Sequence, residues 1–388
     1  MSLLKQAFAF TQVEFFQQDQ RRQGLAVVID AGKIAAILPE QELPSDLVTI
    51  DCQHQLLAAG FIDTQVNGGG GVMFNEQPSA QGIKAIVQGH WSGGTTSLLP
   101  TLITDSSQTM QQAVQAVGET LHSTDLGVLG VHLEGPHLSV LRRGVHSVDY
   151  IRPFDAVTES LLKQLPAEHY VLTIAPEQQV KGTICRIAEQ GIRVSIGHTT
   201  ATYEQMRAAI EEGASAVTHL YNAMTPITGR EPGVVGAALE DDRVYCGIII
   251  DNYHLHPTTA KLAIAQKTRG KIMLVTDAMA TVGSTQKSFR LYGETIYEVA
   301  GRCAKADGTL AGSALDMAGA VRNCVQSVGI ALPEALRMAS LYPANFMGVA
   351  HRLGRIEVGY QADLVLLNAQ LGVQQTWKAG HLVYQRDV

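Results

Sequence analysis

At 388 residues and 46% hydrophobic composition, the chain can bury a large core, which excludes general disorder. Its net charge of −7 argues against bulk nucleic-acid or anionic-membrane binding, so an anionic substrate would need a local cluster of Arg and His. Five scattered cysteines without a C-x-x-C exclude a disulfide framework and a zinc knuckle.

In chain order, MSLLKQAFAFTQVEFF has no apolar run long enough for a signal peptide before Thr11 and Glu14 interrupt it. No later stretch approaches the ~20 apolar residues of a membrane span. A soluble cytoplasmic protein is expected. LAVVIDAGKIAAILP (25–39) reads as two strands about Asp30-Ala31-Gly32, a hairpin signal. Eight aliphatic or β-branched runs follow: 61–65, 95–99, 128–133, 170–175, 193–197, 216–220, 244–250 and 271–276. Most are continuously apolar, as expected of parallel strands buried on both faces. Helical segments alternate with them, such as 105–122, opening Asp-x-x-Gln, and 202–213, opening Thr-x-x-Gln with a stop at Gly213. QADLVLLN (361–368) and TWKAGHLVYQ (376–385) are again strand-like.

This order predicts an α/β fold: a (β/α)₈ barrel of the TIM type over 59–349, with residues 1–58 and 350–388 combining into one small β-sandwich domain. A doubly wound open sheet is second choice, because no glycine-rich dinucleotide fingerprint is present.

Barrels of this kind place their chemistry where strands end. The residues there are Gln65 and Asn67 after strand 1, Glu134 after strand 3, His198 after strand 5 and His219 after strand 6. Strand 7 gives Asp251 with His254, strand 8 gives Asp277, and strand 4 ends Ala175-Pro176-Glu177. Glu134, His198 and His219 on three nearby strands suit Zn²⁺, with a fourth position open for water. Iron(II) and cobalt(II) accept the same ligands. His132, two residues before Glu134, is expected to orient it from one layer deeper. His90, His122, His169 and His351 are expected to be solvated, as are Arg142 and Arg143. His137 and His256 could belong to the site or not.

GVHLEGPHL (130–138), SIGHTTAT (195–202), THLYNAMTPITGREPG (218–233), LVTDAMA (274–280) and GTLAGSAL (308–315) resemble the N-acetylglucosamine-6-phosphate deacetylase family of the amidohydrolase superfamily. The resemblance runs from GFID at 60 to GRIEVGYQADLVLL at 354–367. Binuclear amidohydrolases carry His-x-His on strand 1 and often a carbamylated lysine on strand 4. This chain has Gln65-x-Asn67 and no such lysine, like some bacterial members of the family. The resemblance therefore implies one divalent metal per chain, most simply zinc, at Glu134, His198 and His219, with Gln65 beside the metal water.

The reaction it implies is hydrolysis of a 2-acetamido sugar phosphate to acetate and a free amine, in amino sugar catabolism. Asp277 is then the proton carrier and His146 a donor to the developing oxyanion. Arg230 and His254 grip the phosphate. Val145, His146, Asn222, Ala223, Asp251 and the turn Leu310-Ala311-Gly312-Ser313 are further substrate contacts by the same resemblance. It also implies a homodimer whose neighbour helps complete the pocket. Alternatives are a deacetylase for the galactosamine epimer, another amidohydrolase, or a non-catalytic sugar-phosphate binding protein. An intact proton carrier weighs against the last.

Overall fold

The computed structural model describes residues 7–17 and 19–387. Eight parallel strands, Phe61–Val66, Thr95–Ile103, Val131–Glu134, Tyr170–Ile174, Arg193–Ile196, Ala216–Val217, Tyr245–Ile248 and Ile272–Leu274, neighbour one another in chain order. The first and last meet through a bridge between Val66 and Ala278 and the Asp277 N–H donating to Gln65 O at 3.0 Å. Every expected barrel strand is present. The first two are buried along their whole length, which is why their sequences do not alternate.

Several boundaries differ from the sequence reading, the third strand starting at Val131 and the seventh ending at Ile248; three differ for a local reason. The second strand runs on to Ile103, past Pro100, which resembles a strand end because proline withholds a ladder donor. The sixth and eighth stop early, because His219 and Asp277 adopt positive φ, 32° and 53°, and turn the chain out of the ladder.

The helix read from Asp105 is Ser107–Thr120, and Ser106 is its cap, accepting the Thr109 N–H at 3.1 Å. Asp105 is otherwise engaged, accepting from Ser106 N and Asn75 Nδ2 at 2.7 and 2.8 Å. The helix Tyr203–Glu211 carries the expected capping box: Thr202 Oγ1 accepts from Gln205 N at 3.3 Å and Gln205 Oε1 from Thr202 N at 2.9 Å. Gly213 follows at φ 110°.

Both flanks enter one sheet, in the order His381–Gln385, Val373–Lys378, Leu364–Leu367, Val48–Ala59, Phe8–Gln17, Leu25–Asp30, Lys33–Pro39. The hairpin at Asp30 has positive φ at both Ala31 and Gly32, 46° and 76°, the turn whose twist matches its strands. Phe8 and Phe10 lie on a strand three positions away from that of Trp377, a span of ~14 Å in a flat sheet. Their ring centroids nevertheless lie 5.2 Å from that of Trp377, so the sheet doubles over its own apolar face into two layers. A buried ion pair ties it to the barrel: Lys378 Nζ donates to Asp363 Oδ2 at 2.7 Å and to Ser97 Oγ at 3.3 Å.

One element had no counterpart in the sequence reading. After the eighth barrel strand comes a four-stranded antiparallel sheet, Ser288–Leu291, Glu294–Val299, Arg302–Ala304 and Leu310–Ser313. The segment 310–313, read as a turn, is its last strand. It hooks back onto the barrel where Ala278 bridges Ser313. At Gly312, φ is 59° and a Cβ would meet the Asp277 backbone carbonyl oxygen at 2.8 Å, so a glycine is required for so close an approach.

Candidate metal centre and active site

At the third strand's end, Glu134 Oε1 faces His198 Nε2 at 3.1 Å and His219 Nε2 at 2.9 Å, and the two nitrogens are 3.0 Å apart. All three side chains are buried, and among the described residues they form the one cluster able to supply three ligand atoms to a metal. His198 Nδ1 lies 2.8 Å from Arg142 O. A carbonyl only accepts, so Nδ1 carries the proton and the Nε2 lone pair points into the cluster, as in second-layer support of metal-ligating histidines. A lone pair, a carboxylate oxygen and a second imidazole nitrogen converging in this way need a positive charge between them, either a proton or a cation. Ligands around a tetrahedral zinc lie ~3.3 Å apart, so a small outward movement of the three would admit an ion. The donor set fits one divalent metal.

The electrostatics agree. Burial pushes the Glu134 carboxyl up, but the imidazoles of His198 and His219 facing it outweigh burial and hold the group well below its usual range. Burial pushes His219 down, but Glu134 more than compensates and its pKa is raised.

Asp277 stands beside this cluster. Its Oδ1 accepts from Asn67 Nδ2 at 2.5 Å and Gln65 Nε2 at 3.1 Å. Gln65 Nε2 also reaches Glu134 Oε2 at 3.2 Å. Burial, then the charge of Glu134, raises Asp277 from 3.8 to about 6. His198, His219 and Asp277 all have positive φ, as do Tyr221, Ala223 and Asn252, a concentration of sparsely populated backbone typical of functional sites.

His146 lies 4.3 Å from His198, centroid to centroid. The Thr104 backbone N–H donates to its Nδ1 at 3.3 Å. Nδ1 is therefore the acceptor and Nε2 carries the hydrogen. Burial, ahead of any other influence, holds His146 well below 6.5, and with Nδ1 accepting from Thr104 N the ring offers Nε2 as its donor.

These groups line a cavity of about 410 Å³, within the range of small-molecule sites. Val145, Asn222, Ala223 and His254 line it too, as do Leu310 and Gly312 from the inserted sheet. Ala311 and Ser313 alternate away into the interior, where Ser313 Oγ donates to Thr276 O at 2.6 Å. Asp251 sits behind His254, with Oδ2 on its Nδ1 at 2.7 Å and Oδ1 accepting from Tyr253 N and His254 N, each at 2.8 Å. Arg230 is exposed on its loop and is not part of the cavity lining.

Several neighbouring expectations need correction. His132 makes no hydrogen bond to Glu134; its ring nitrogens meet Thr101 Oγ1 at 3.2 Å and Thr173 Oγ1 at 2.7 Å, inside a barrel layer continued by Thr218 and Ser195. His90 is not solvated but fully buried, with Nε2 2.9 Å from Gly68 O. His169 Nδ1 is 2.7 Å from Leu129 O. His137 is structural, between Arg152 O and Thr158 Oγ1, and His256 caps the helix Pro257–Gln266. Arg142, read as solvated, lines the cavity and supplies the carbonyl behind His198. Thr104 went unnoticed; it is the strand-end residue of the second strand once that strand is followed past Pro100. Tyr292 was missed with the inserted sheet, and its hydroxyl donates to Thr104 O.

Comparison with known proteins gives the same picture. A sequence model described as the amidohydrolase family matches residues 56–383. An N-acetylgalactosamine-6-phosphate deacetylase of Shewanella sp. (strain ANA-3) is 43% identical over 85% of this chain and 84% of its own. An N-acetylglucosamine-6-phosphate deacetylase of Haemophilus influenzae is 41% identical over 88% and 90%. The crystal structure of N-acetylglucosamine-6-phosphate deacetylase from Pasteurella multocida superposes with a TM-score of 0.94 at 42% identity, covering 98% of this chain and all (100%) of that one. The chain belongs to the amidohydrolase family.

Proposed function

We propose that the chain hydrolyses the acetamide of N-acetyl-D-glucosamine 6-phosphate to D-glucosamine 6-phosphate and acetate, as a cytoplasmic enzyme of amino sugar catabolism. The observation that carries the reading is the buried Glu134–His198–His219 cluster with Asp277 beside it, in a chain whose relatives bear deacetylase names. In this reading the barrel, 59–349, is the catalytic domain, and 1–58 with 350–388 form the small one. The metal is one zinc per chain.

An amide resists hydrolysis because its carbonyl is a weak electrophile and its amine a poor leaving group. A divalent ion at Glu134, His198 and His219 supplies Lewis acidity, polarising a carbonyl and lowering the pKa of a water from 15.7 toward ~7. Asp277 takes a proton from the attacking water and delivers it to the departing nitrogen, a service typically contributing ~10²–10⁴-fold. The His146 Nε2–H donates to the carbonyl oxygen as charge develops there. His254 has Nδ1 committed to Asp251, which leaves Nε2 for the phosphate. Arg230 is the second phosphate contact and reaches the site by loop movement or from the second protomer of a homodimer.

The galactosamine epimer is the second reading, favoured by the Shewanella relative at 43% identity. Purified protein is incubated with each 6-phosphate and with unphosphorylated N-acetylglucosamine, and acetate is measured. Acetate from the glucosamine phosphate at the higher kcat/KM supports the proposal. Preference for the epimer selects the second reading, and binding without acetate release from any substrate defeats both.

A further inference from the structure

Gln65 lies on the first strand and Asn67 just past its end, and both side chains reach the same carboxylate oxygen of Asp277. Backbone bonds lock them against the eighth strand: Asp277 N donates to Gln65 O at 3.0 Å and Asn67 N to Ala278 O at 2.9 Å. Across this closure each site carboxylate has one oxygen held by a carboxamide. Asp277 Oδ1 takes both amides, at 2.5 and 3.1 Å, and Glu134 Oε2 takes Gln65 at 3.2 Å. The other oxygens differ in use. Glu134 Oε1 meets the two imidazoles, and no described residue donates to Asp277 Oδ2.

We infer that Gln65 and Asn67 are positioning residues, an amide clamp that fixes the carboxylate plane of Asp277 so that Oδ2 alone exchanges protons with the reacting water. The inference rests on the reading of Asp277 as proton carrier. An Oδ2 lone pair takes H⁺ from water, and the hydroxide oxygen bonds to the carbonyl carbon while the C=O π pair moves onto the carbonyl oxygen, to return as C–N breaks. As the C–N bond breaks, its electron pair stays on nitrogen and takes the proton from Oδ2–H. Water and amide become acetic acid, which loses its proton to solvent as acetate, and amine, and Asp277 returns ionised. A carboxylate free to turn would offer either oxygen in a range of directions, and misplacement by ~1 Å can cost ~10²-fold.

A purely stabilising role for Asn67 is disfavoured by its other half. The side chain is fully buried, yet Oδ1 has no partner. An apolar residue of the same branching would leave no such acceptor unmet. The amide orientation is itself determined by the neighbour, since turning Oδ1 toward Asp277 would set two acceptors against each other.

The two roles give opposite signatures. In zinc-loaded full-length protein with metal counted, Asn67→Leu should melt no lower than wild type and keep its zinc. Its kcat should fall about 10- to 100-fold, with KM changed by less than about threefold. Asn67→Ala, the alternative if leucine does not fit, should show the same split. A near-normal kcat in either folded variant, or a loss confined to KM, overturns the clamp. A readout independent of turnover is the crystal structure of zinc-loaded Gln65→Leu/Asn67→Ala. The Asp277 carboxylate should rotate or become disordered, and finding it unmoved overturns the inference. Failure of wild type to release acetate would defeat the functional reading instead, and the crystal comparison would still decide the clamp.

Discussion

Asp277→Asn separates chemistry from structure, because the environment accepts the replacement. Asp277 Oδ1 is held by two N–H donors at 2.5 and 3.1 Å. An asparagine can present its carbonyl oxygen there and its NH₂ at the former Oδ2. The hydrogen bonds survive, the shape is unchanged, and the position of the proton acceptor becomes a donor. Metal and substrate should therefore bind, while turnover falls by ~10²–10⁴-fold. Stability should move the other way. Burial and the Glu134 charge raise the Asp277 carboxyl from 3.8 to about 6, so in metal-free protein the ionised group costs about 3 kcal/mol at neutral pH. The raised pKa means the folded state binds the proton more tightly than the unfolded chain. The penalty is absent below the unfolded value, grows as pH rises between the two, and is complete above about 6. Metal-free Asp277→Asn should accordingly melt higher than wild type at pH 8, with the difference shrinking at pH 5. Acetate release and thermal melts on the same samples test both halves. Turnover within tenfold of wild type would remove Asp277 from the chemistry, and a lower melting point at pH 8 would refute the electrostatic argument.

On the proposed mechanism the same carboxyl should govern the acid side of the rate profile. Protonated, it cannot take a proton from water, and a bound cation favours its ionised form, so kcat/KM should fall tenfold per pH unit below a midpoint no higher than about 6; a rate independent of pH down to 4 would contradict this. Glu134→Gln keeps the shape but removes the charge that holds the metal, and elemental analysis should find at least tenfold weaker retention, with turnover lost in proportion. His146→Gln removes the neutral Nε2–H donor beside the cluster; kcat should fall by ~10²–10³-fold with little change in KM or metal content, and an effect on KM alone would make it a binding residue. Lys378→Met leaves Asp363 buried without its cation, and denaturant titration should show a loss of ~3–5 kcal/mol, toward the lower end because Ala379 N and Gln361 Nε2 still donate to Asp363 at 2.8 and 2.9 Å.

The barrel was legible because strands buried on both faces leave continuous apolar runs, a signal that survives without alignment. What interrupted it was local chemistry. Pro100 lies inside a strand and made it look finished, which hid Thr104 at the true end. The inserted sheet turns at Tyr292-Gly293 and Ala300-Gly301, each with positive φ at both residues, as at Ala31-Gly32. Only the last was noticed, because there a turn-favouring Asp30 precedes the pair, whereas Leu291 and Val299 precede the other two. His90 looked solvated because its helix was judged alone. It is buried because Gly69 lacks a Cβ, which would lie 2.7 Å from the imidazole. Arg142 shows a different limit: its contribution behind His198 is a carbonyl, and a backbone atom carries no trace of residue type.

The site was legible for a reason that also explains where the reading stopped. Strand ends in a closed barrel point toward one axis, so ligand-type residues at successive ends must converge whatever their separation in sequence. That geometry finds Glu134, His198, His219 and Asp277 without knowing what joins them. It cannot find pairings across the axis, because those depend on register and rotamer. His132 went wrong on this account: alternation puts it on the same side as Glu134, but one layer down the nearest acceptors and donors are hydroxyls on adjacent strands. Gln65 was placed beside the metal water, but comparison with a His-x-His pair did not reveal which groups Gln65 and Asn67 pair with. Set across the barrel closure, the same two carboxamides donate to the oxygens of Asp277 and Glu134. Imidazoles with lone pairs directed at a cation would have to withhold those donors. A Gln-x-Asn pair can therefore orient two carboxylates around one ion, where a His-x-His pair would commit the same space to a second ion.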